Sequence, residues 1–419
     1  MLQRPKGTKD IYGKEQQIYE TIFTTFKAIA KTFNLEQITT PTFENANLFN
    51  CAGNQSDVVT KELYRFNDRA GRALALKPEG SAPVARALVE NKLLNDPKYQ
   101  KLYYIDAMFR YEKPQKGRLR QFYQIGVELI NDLSIYTTIE AIMLARMFLK
   151  QLGINDYRLE INSLGSIQER NQYEQALKTY FKKHQKQLSI QSQARIDTNP
   201  LRILDDKIDC HLDVVKNAPQ IEMFWSSQTK NEFKQLLALL DLINLKYHVN
   251  YRLVRGLDYY SNVVFEFTSN HQNLGAKTTL IGGGTYYGLN NNPHINGIGW
   301  GCGVERLLAI LLDQNQIIKS TNKTIVFLVE SQSQYRPILP IIYHLRQLNY
   351  QVDFNYQIKS FKKLYRSIIK TQPQLIIFQN PDQIGFKQWN IKKQSDDFKQ
   401  VDTCDIDDLV KMVIKMLPS

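Results

Sequence analysis

The residues best suited to chemistry lie in two strand-like stretches, 101–112 and 120–130, joined by the turn KPQKGRL. Alternate residues of a strand point to opposite faces. Tyr103, Ile105, Ala107 and Phe109 therefore share one apolar face, while Asp106, Met108, Arg110 and Glu112 share the other. On the return strand Tyr123, Ile125, Val127 and Leu129 are apolar, opposite Phe122, Gln124, Gly126 and Glu128. An antiparallel hairpin would thus present a cation, carboxylates, an amide and an aromatic ring together. A solvated sheet face has the same polarity. The joining loop favours a binding surface, because Lys113, Lys116, Arg118 and Arg120 surround Pro114 and Gly117 without an acidic residue, a composition suited to phosphate.

Two further segments carry isolated cations. In VRGLDYY, Arg255 precedes a glycine, Asp258 and the pair Tyr259 and Tyr260, and it could serve a ligand or simply pair with Asp258. In GIGWGCGVERLL, Arg306 falls in the first turn of an expected helix, and the glycines would let backbone approach a ligand closely. A cation there opposes the helix dipole, so it needs either a bound anion or a neighbouring carboxylate. The cysteines, 51, 210, 302 and 404, stand singly, and no HExxH pair occurs. Metal ligation and disulfides are not expected, and the thiols read as small buried side chains.

These segments need a scaffold. At 419 residues the chain is long enough for two or three domains. With 43% hydrophobic and 23% charged residues it is an ordinary folded protein, not a disordered or fibrous one. Its net charge of +13 suits a polyanionic partner or solubility alone. Neither a signal peptide nor a spanning run is recognisable, so a cytoplasmic location and no membrane association are expected. Ile18, Ile22, Phe23, Phe26, Ile29 and Phe33 predict an amphipathic helix, after which Pro41 interrupts the extended run QITTPTF. Residues 131–166 read as helix then strand, and 167–245 as a helical insertion. Strands return at YRLVRG, YYSNVVFEF and TTLIGGGTYYGL before the helix of Arg306. A polar linker at 313–323 leads to alternating strands and helices over 325–419, a small α/β domain.

FRYEKPQKGRLRQFYQIGVE resembles motif 2 of the class II aminoacyl-tRNA synthetases, GIGWGCGVERLL resembles motif 3, and the proline of ITTPTFE resembles the end of motif 1. LVRGLDYYSNVVFEF and RPKGTKD resemble signatures of the histidyl-tRNA synthetase family, in order along nearly the whole chain. The resemblance implies an α+β fold. An antiparallel-sheet catalytic domain over 1–320, with its helical insertion at about 167–245, would precede an α/β anticodon-binding domain over 325–419. It also implies ligation of L-histidine to tRNA-His through a histidyl-adenylate, with ATP as substrate, Mg²⁺ accompanying it, no protein metal site and a homodimer.

The implied roles follow the matching positions. Arg110 and Arg255 would be catalytic, acting on the α-phosphate and the histidine carboxylate. Glu79, Ser81, Gln124, Glu128, Tyr259 and Tyr260 would bind histidine. Arg110, Glu112, Arg118, Phe122 and Arg306 would bind ATP, with Phe122 stacked on adenine. Gln115 and Arg120 would meet the acceptor end of tRNA. Lys359, Lys362, Lys363, Arg366 and Lys370 could contact phosphates of the anticodon arm or form a solvated helix face. The glycine segment departs from the usual GGGRYD: Thr285 and Tyr287 stand where the family has an arginine and a small polar residue. The alternative function is that of a regulatory paralogue that does not aminoacylate, a group that typically lacks the anticodon-binding domain.

Overall fold

The computed structural model describes residues 2–52, 61–114, 118–206, 208–255, 259–274, 278–314, 324–379, 388–393, 399–402 and 406–417. The chain divides into two units, Met1–Gln316 and Ile317–Ser419.

The first unit contributes β1 (Glu36–Gln37), β2 (Phe43–Asn45), β3 (Arg65–Asn67), β4 (Ala73–Leu76), β5 (Lys101–Phe109), β6 (Gln121–Ile130), β7 (Arg158–Ser163), β8 (Tyr247–Val249), β9 (Tyr260–Thr268), β10 (Thr279–Tyr287) and β11 (Asn296–Gly303). Eight of these form one sheet in the order β1-β5-β6-β11-β10-β9-β7-β8, and β2-β4-β3 form a small second sheet. The large sheet is antiparallel from β5 to β7, with a parallel pair at each edge. A parallel pair cannot be closed by a hairpin. The segment between β7 and β8 is therefore a crossover, and it holds the helices Ile167–Lys183 and Ser227–Leu242 of the insertion. Glu169 knits that insertion together: its carboxylate accepts from Ser166 N (2.6 Å), Ser226 N (2.5 Å) and the Thr229 hydroxyl (2.9 Å).

Helices cover one face of the sheet, where the periodic N-terminal segment forms Lys14–Thr32. Phe26 packs edge-on against Tyr103, Phe148 and Trp300 at centroid distances of 5.4, 5.1 and 5.9 Å. The Trp300 indole donates to Ala141 O of the helix Ile135–Gln151. Tyr103, expected on the apolar face, is thus directed to the core, and the polar residues of the hairpin fall on the opposite side. That side is not a solvated sheet face, for Tyr104 and Met108 are fully buried.

In the second unit β12 (Thr324–Leu328), β13 (Gln351–Phe354), β14 (Leu375–Phe378), β15 (Gln388–Lys393) and β16 (Lys399–Asp402) form a mixed sheet in the order β13-β12-β14-β15-β16. Strand parity divides its core. Ile325 and Phe327 pack with Ile338, Ile341, Leu345, Leu409 and Val413, and Val326 and Leu328 pack with Leu364 and Ile376 on the other face. Lys359, Lys362, Lys363, Arg366 and Lys370 lie exposed in and beside the helix Phe361–Ile368.

Candidate active site

Opposite the helical layer the first unit has a cleft of about 1110 Å³. Arg110, Arg118, Arg255 and Arg306 line it, as do Glu79, Ser81, Gln124, Tyr259 and Tyr260. The sheet brings them together from distant parts of the sequence. Arg110 follows β5, Gln124 lies on β6, Tyr260 opens β9, and Arg306 stands in the first turn of the helix Val304–Asp313 that continues β11.

One side of the cleft is cationic. Arg110 Nε donates to Pro78 O (2.8 Å), and its guanidinium lies 5.2 Å from the centroid of the Phe122 ring. Arg118 is ion-paired with Glu112 and lies 3.2 Å from Glu62 Oε1. Arg306 donates to Thr279 O, so the opening cation of the helix is held by a carbonyl and not by a carboxylate. Burial pushes its guanidinium down to about 10, and Arg110, Arg118 and Arg255 push the same way. Several desolvated arginines facing one space form a preorganised site for a polyanion.

Arg255 lies between the two sides. Its guanidinium pairs with Glu266 on β9, and the second oxygen of Glu266 accepts from the Thr279 hydroxyl at 2.8 Å. The guanidinium crosses directly above Gly282, the cross-strand partner of Glu266. A Cβ on Gly282 would lie 2.3–2.5 Å from Arg255 Nη2, Nη1 and Cζ. The sequence offered a ligand or Asp258 for this cation; Asp258 lies outside the described residues, and among the described residues Glu266 meets the guanidinium.

The other side is acidic and lined by tyrosines. Glu79 accepts from the backbone N–H groups of Ser81 (2.7 Å) and Ala82 (3.0 Å), and so caps the helix Ser81–Glu90. Burial raises its pKa against those bonds. Glu128 lies beneath the cleft floor, where Ser81 Oγ donates to Oε1 (2.5 Å) and Tyr286 Oη donates to Oε2 (2.9 Å). Burial pushes this carboxyl up to about 8. Gln124 Nε2 donates to Tyr104 Oη at 2.7 Å, and the phenol head of Tyr104 fits between Gly80 and Gly126, where a Cβ would overlap it. Tyr259 and Tyr260 stand with ring centroids 4.8 Å apart.

Two further residues were expected to meet tRNA. Gln115 lies outside the described residues. Arg120 does not line the cleft: its guanidinium covers the Tyr111 ring at 4.1 Å and donates to Glu112 O (3.2 Å) and Lys6 O (3.4 Å). The early RPKG segment therefore serves it, with Gly7 O also accepting from Arg120 N at 2.7 Å. Among the residues that departed from the family pattern, Thr285 fills a bulge in β9. Its hydroxyl donates to Ser261 O and accepts from Val263 N (3.0 Å), beside Asn262 with its positive φ of 52°.

Sequence reasoning missed Tyr104, Glu266, Tyr286 and Glu305. Tyr104 shares parity with Arg110 and could have been found that way. Glu305 accepts from Tyr19 Oη (2.9 Å) and Tyr123 N (2.8 Å), tying the N-terminal helix and β6 to the helix of Arg306. Burial raises it to about 7. Its partners are too distant in sequence to be anticipated from spacing.

A profile of the family described as "Histidyl-tRNA synthetase" matches residues 7–307. The "Histidine--tRNA ligase" of Malacoplasma penetrans is 39% identical over 402 residues, 94% of either chain. That of Ureaplasma parvum is 42% identical over 399 residues, 93% of either chain. The crystal structure of apo Staphylococcus aureus histidyl-tRNA synthetase superposes with a TM-score of 0.80 at 28% identity, covering 98% of this chain and 99% of that one.

Proposed function

The chain belongs to the histidyl-tRNA synthetase family, and from that membership we infer that it ligates L-histidine to tRNA-His with ATP, through a histidyl-adenylate. The observation that carries this reading is a single cleft lined by Arg110, Arg118, Arg255 and Arg306 together with Glu79, Ser81, Tyr259 and Tyr260. One side suits a triphosphate and the other an amino acid with a polar ring.

In the reaction a carboxylate oxygen of histidine attacks the α-phosphorus, the bond to the β-phosphate breaks, and pyrophosphate departs. Arg110 neutralises the α-phosphate while Phe122 stacks on adenine, with Glu112 and Arg118 beside the nucleoside and Arg306 at the γ-phosphate. Arg255 answers the charge that redistributes between carboxylate and phosphate. Its planar fork serves two acceptors at once, which a lysine cannot do in the same geometry. Glu79, Ser81 and Gln124 hold the α-ammonium group. Glu128 and Tyr260 read the imidazole, and Tyr259 lines the same recess. Ser81 and Tyr286 donate to the two Glu128 oxygens and so fix the orientation of its carboxyl.

Mg²⁺ would be held chiefly by the phosphates, with few protein ligands, and would offset charge on the departing pyrophosphate. The adenylate then acylates a hydroxyl of the terminal adenosine and AMP leaves. Gln115 and Arg120 would approach that end of the tRNA, the latter from the ledge formed with Lys6 and Tyr111. We assign residues 1–320 to catalysis and 325–419 to the anticodon arm, and the working form to a cytoplasmic homodimer. No helix among the described residues is long and apolar enough to cross a membrane. A regulatory paralogue without the anticodon-binding domain is disfavoured, because the ligase relatives match over more than nine-tenths of the chain.

ATP–pyrophosphate exchange measured with each amino acid in turn, without tRNA, tests the reading. Histidine alone should support exchange. Its absence from folded protein would overturn the assignment.

A further inference from the structure

The histidine recess is built against the insertion, and the contacts between them are specific. The insertion's first helix, Ile167–Lys183, grows from the segment Asn162–Gly165 that ends β7. Leu164 N donates to Asn262 O (2.6 Å) and Asn262 N donates back to Gly165 O (3.1 Å). Asn162 Nδ2 donates to Leu253 O at 3.1 Å, so residues on both sides of the stretch carrying Arg255, Tyr259 and Tyr260 are tied to the same short segment. One turn into the helix, Arg170 Nη1 donates to Tyr260 O at 2.6 Å, while its Nε donates to Glu174 Oε1 at 2.9 Å.

We propose that Arg170 is a positioning residue for the histidine pocket: it fixes the Tyr260 carbonyl, and thereby the start of β9, from the insertion side. The inference rests on the assignment of Tyr260 to the imidazole. The geometry supports a positional role over simple packing in two ways. Tyr260 O is the first carbonyl of β9, where a shift of the backbone moves the ring directly. The space behind it is also small: Leu164, Arg170, Asn199, Arg202, Arg255 and Tyr260 are among the residues bordering a void of about 10 Å³, room for about one water. Loss of the guanidinium removes a charge-assisted donor from the Tyr260 carbonyl. Arg170 touches neither substrate in this reading, so its effect should reach histidine and spare ATP.

The test is pyrophosphate exchange by full-length Arg170→Ala, with KM determined separately for histidine and ATP and the melting temperature recorded. KM for histidine should rise roughly tenfold, with KM for ATP within twofold and kcat within threefold. Arg170→Lys, which keeps a charged donor, should recover much of the loss. Should alanine unfold the chain, Arg170→Gln, whose side chain falls short of the carbonyl, carries the same expectation. Tyr260→Phe supplies the reference. If it raises KM for histidine while the Arg170 variant leaves that KM unchanged, the positioning role is overturned. Equal rises in both KM values, or a loss that follows melting alone, overturn it too. An unchanged KM in Tyr260→Phe would instead strike the underlying assignment of Tyr260.

Discussion

Replacing Gly282 by alanine adds one methyl group and should remove most of the activation chemistry without unfolding the chain. The added Cβ would sit 2.3–2.5 Å from three atoms of the Arg255 guanidinium, whereas ordinary heavy-atom contact is about 3.5–4.0 Å. The guanidinium must therefore move by about 1–1.5 Å, and it cannot keep its pairing with Glu266 on the neighbouring strand. A misplacement of about 1 Å in a reacting constellation costs on the order of 100-fold in rate, or about 2.7 kcal/mol of transition-state stabilisation. The Gly282 backbone is not in the left-handed region, so alanine brings no backbone strain.

Histidine-dependent pyrophosphate exchange should accordingly fall about 100-fold in kcat/KM, with the melting temperature nearly unchanged. The decisive comparison is with Arg255→Ala. If Gly282 acts only by making room for Arg255, the double variant should be no worse than Arg255→Ala, because the two changes disable one unit. A Gly282→Ala enzyme within threefold of the parent, or losses that multiply in the double variant, would refute the reasoning.

Glu128→Gln should stabilise the substrate-free protein increasingly with pH. The folded carboxyl titrates at about 8 against an ordinary 4.5, so between those values the unfolded state binds fewer protons and parental stability falls as pH rises. The melting-temperature difference should be small at pH 4 and grow to pH 8.5; a constant difference would contradict it. Lys77→Met should cost about 3–5 kcal/mol in chemical denaturation followed by tryptophan fluorescence. Lys77 is buried and spends its ammonium on Asp106 Oδ2 (2.8 Å), Thr40 O (3.0 Å) and Thr40 Oγ1 (3.1 Å), leaving Asp106 without its ion pair if removed. Removing both charges, as Lys77→Met with Asp106→Leu, should recover much of the loss, and a single-variant cost below about 1 kcal/mol would refute the pairing argument.

What could be read from the sequence was what periodicity and local chemistry control. The parity of 101–112 and 120–130 separated Tyr103 from Arg110 correctly, because an alternating strand has only two faces. The N-terminal helix followed from the spacing of Ile18, Ile22 and Phe26. Partners across the sheet were not legible. For Arg255 the local sequence offered a ligand or Asp258, and no local pattern sets the register that brings Glu266 of β9 to its guanidinium. Arg120 read as a free basic residue of a loop, but it is covered by Lys6 and Gly7, more than a hundred residues earlier. The partners of Glu128 were not legible either: its carboxyl is buried and accepts from Tyr286, 158 residues later.

The glycines of GIGWGCG carry the clearest physical lesson. Such residues suggest backbone drawn close to a ligand, but Gly299 and Gly301 make room for the protein's own side chains. A Cβ on Gly299 would lie 2.1 Å from Glu128 Oε2, and one on Gly301 would lie 2.6 Å from Gln124 Nε2. Gly126 does the same for the phenol of Tyr104, and Gly282 for Arg255. Tyr104, Gln124 and Glu128 thus reach across the strand beside their own, and Arg255 across β10. Side chains held down in this way leave an open cleft above the sheet. Their hydrogen bonds and ion pairs hold them in place, which lowers the entropy cost of orienting them for a substrate. The glycine pattern and the polar strand face are thus one device: the functional groups of β6 need the missing side chains of β11, and those beside β10 need the missing side chain of Gly282.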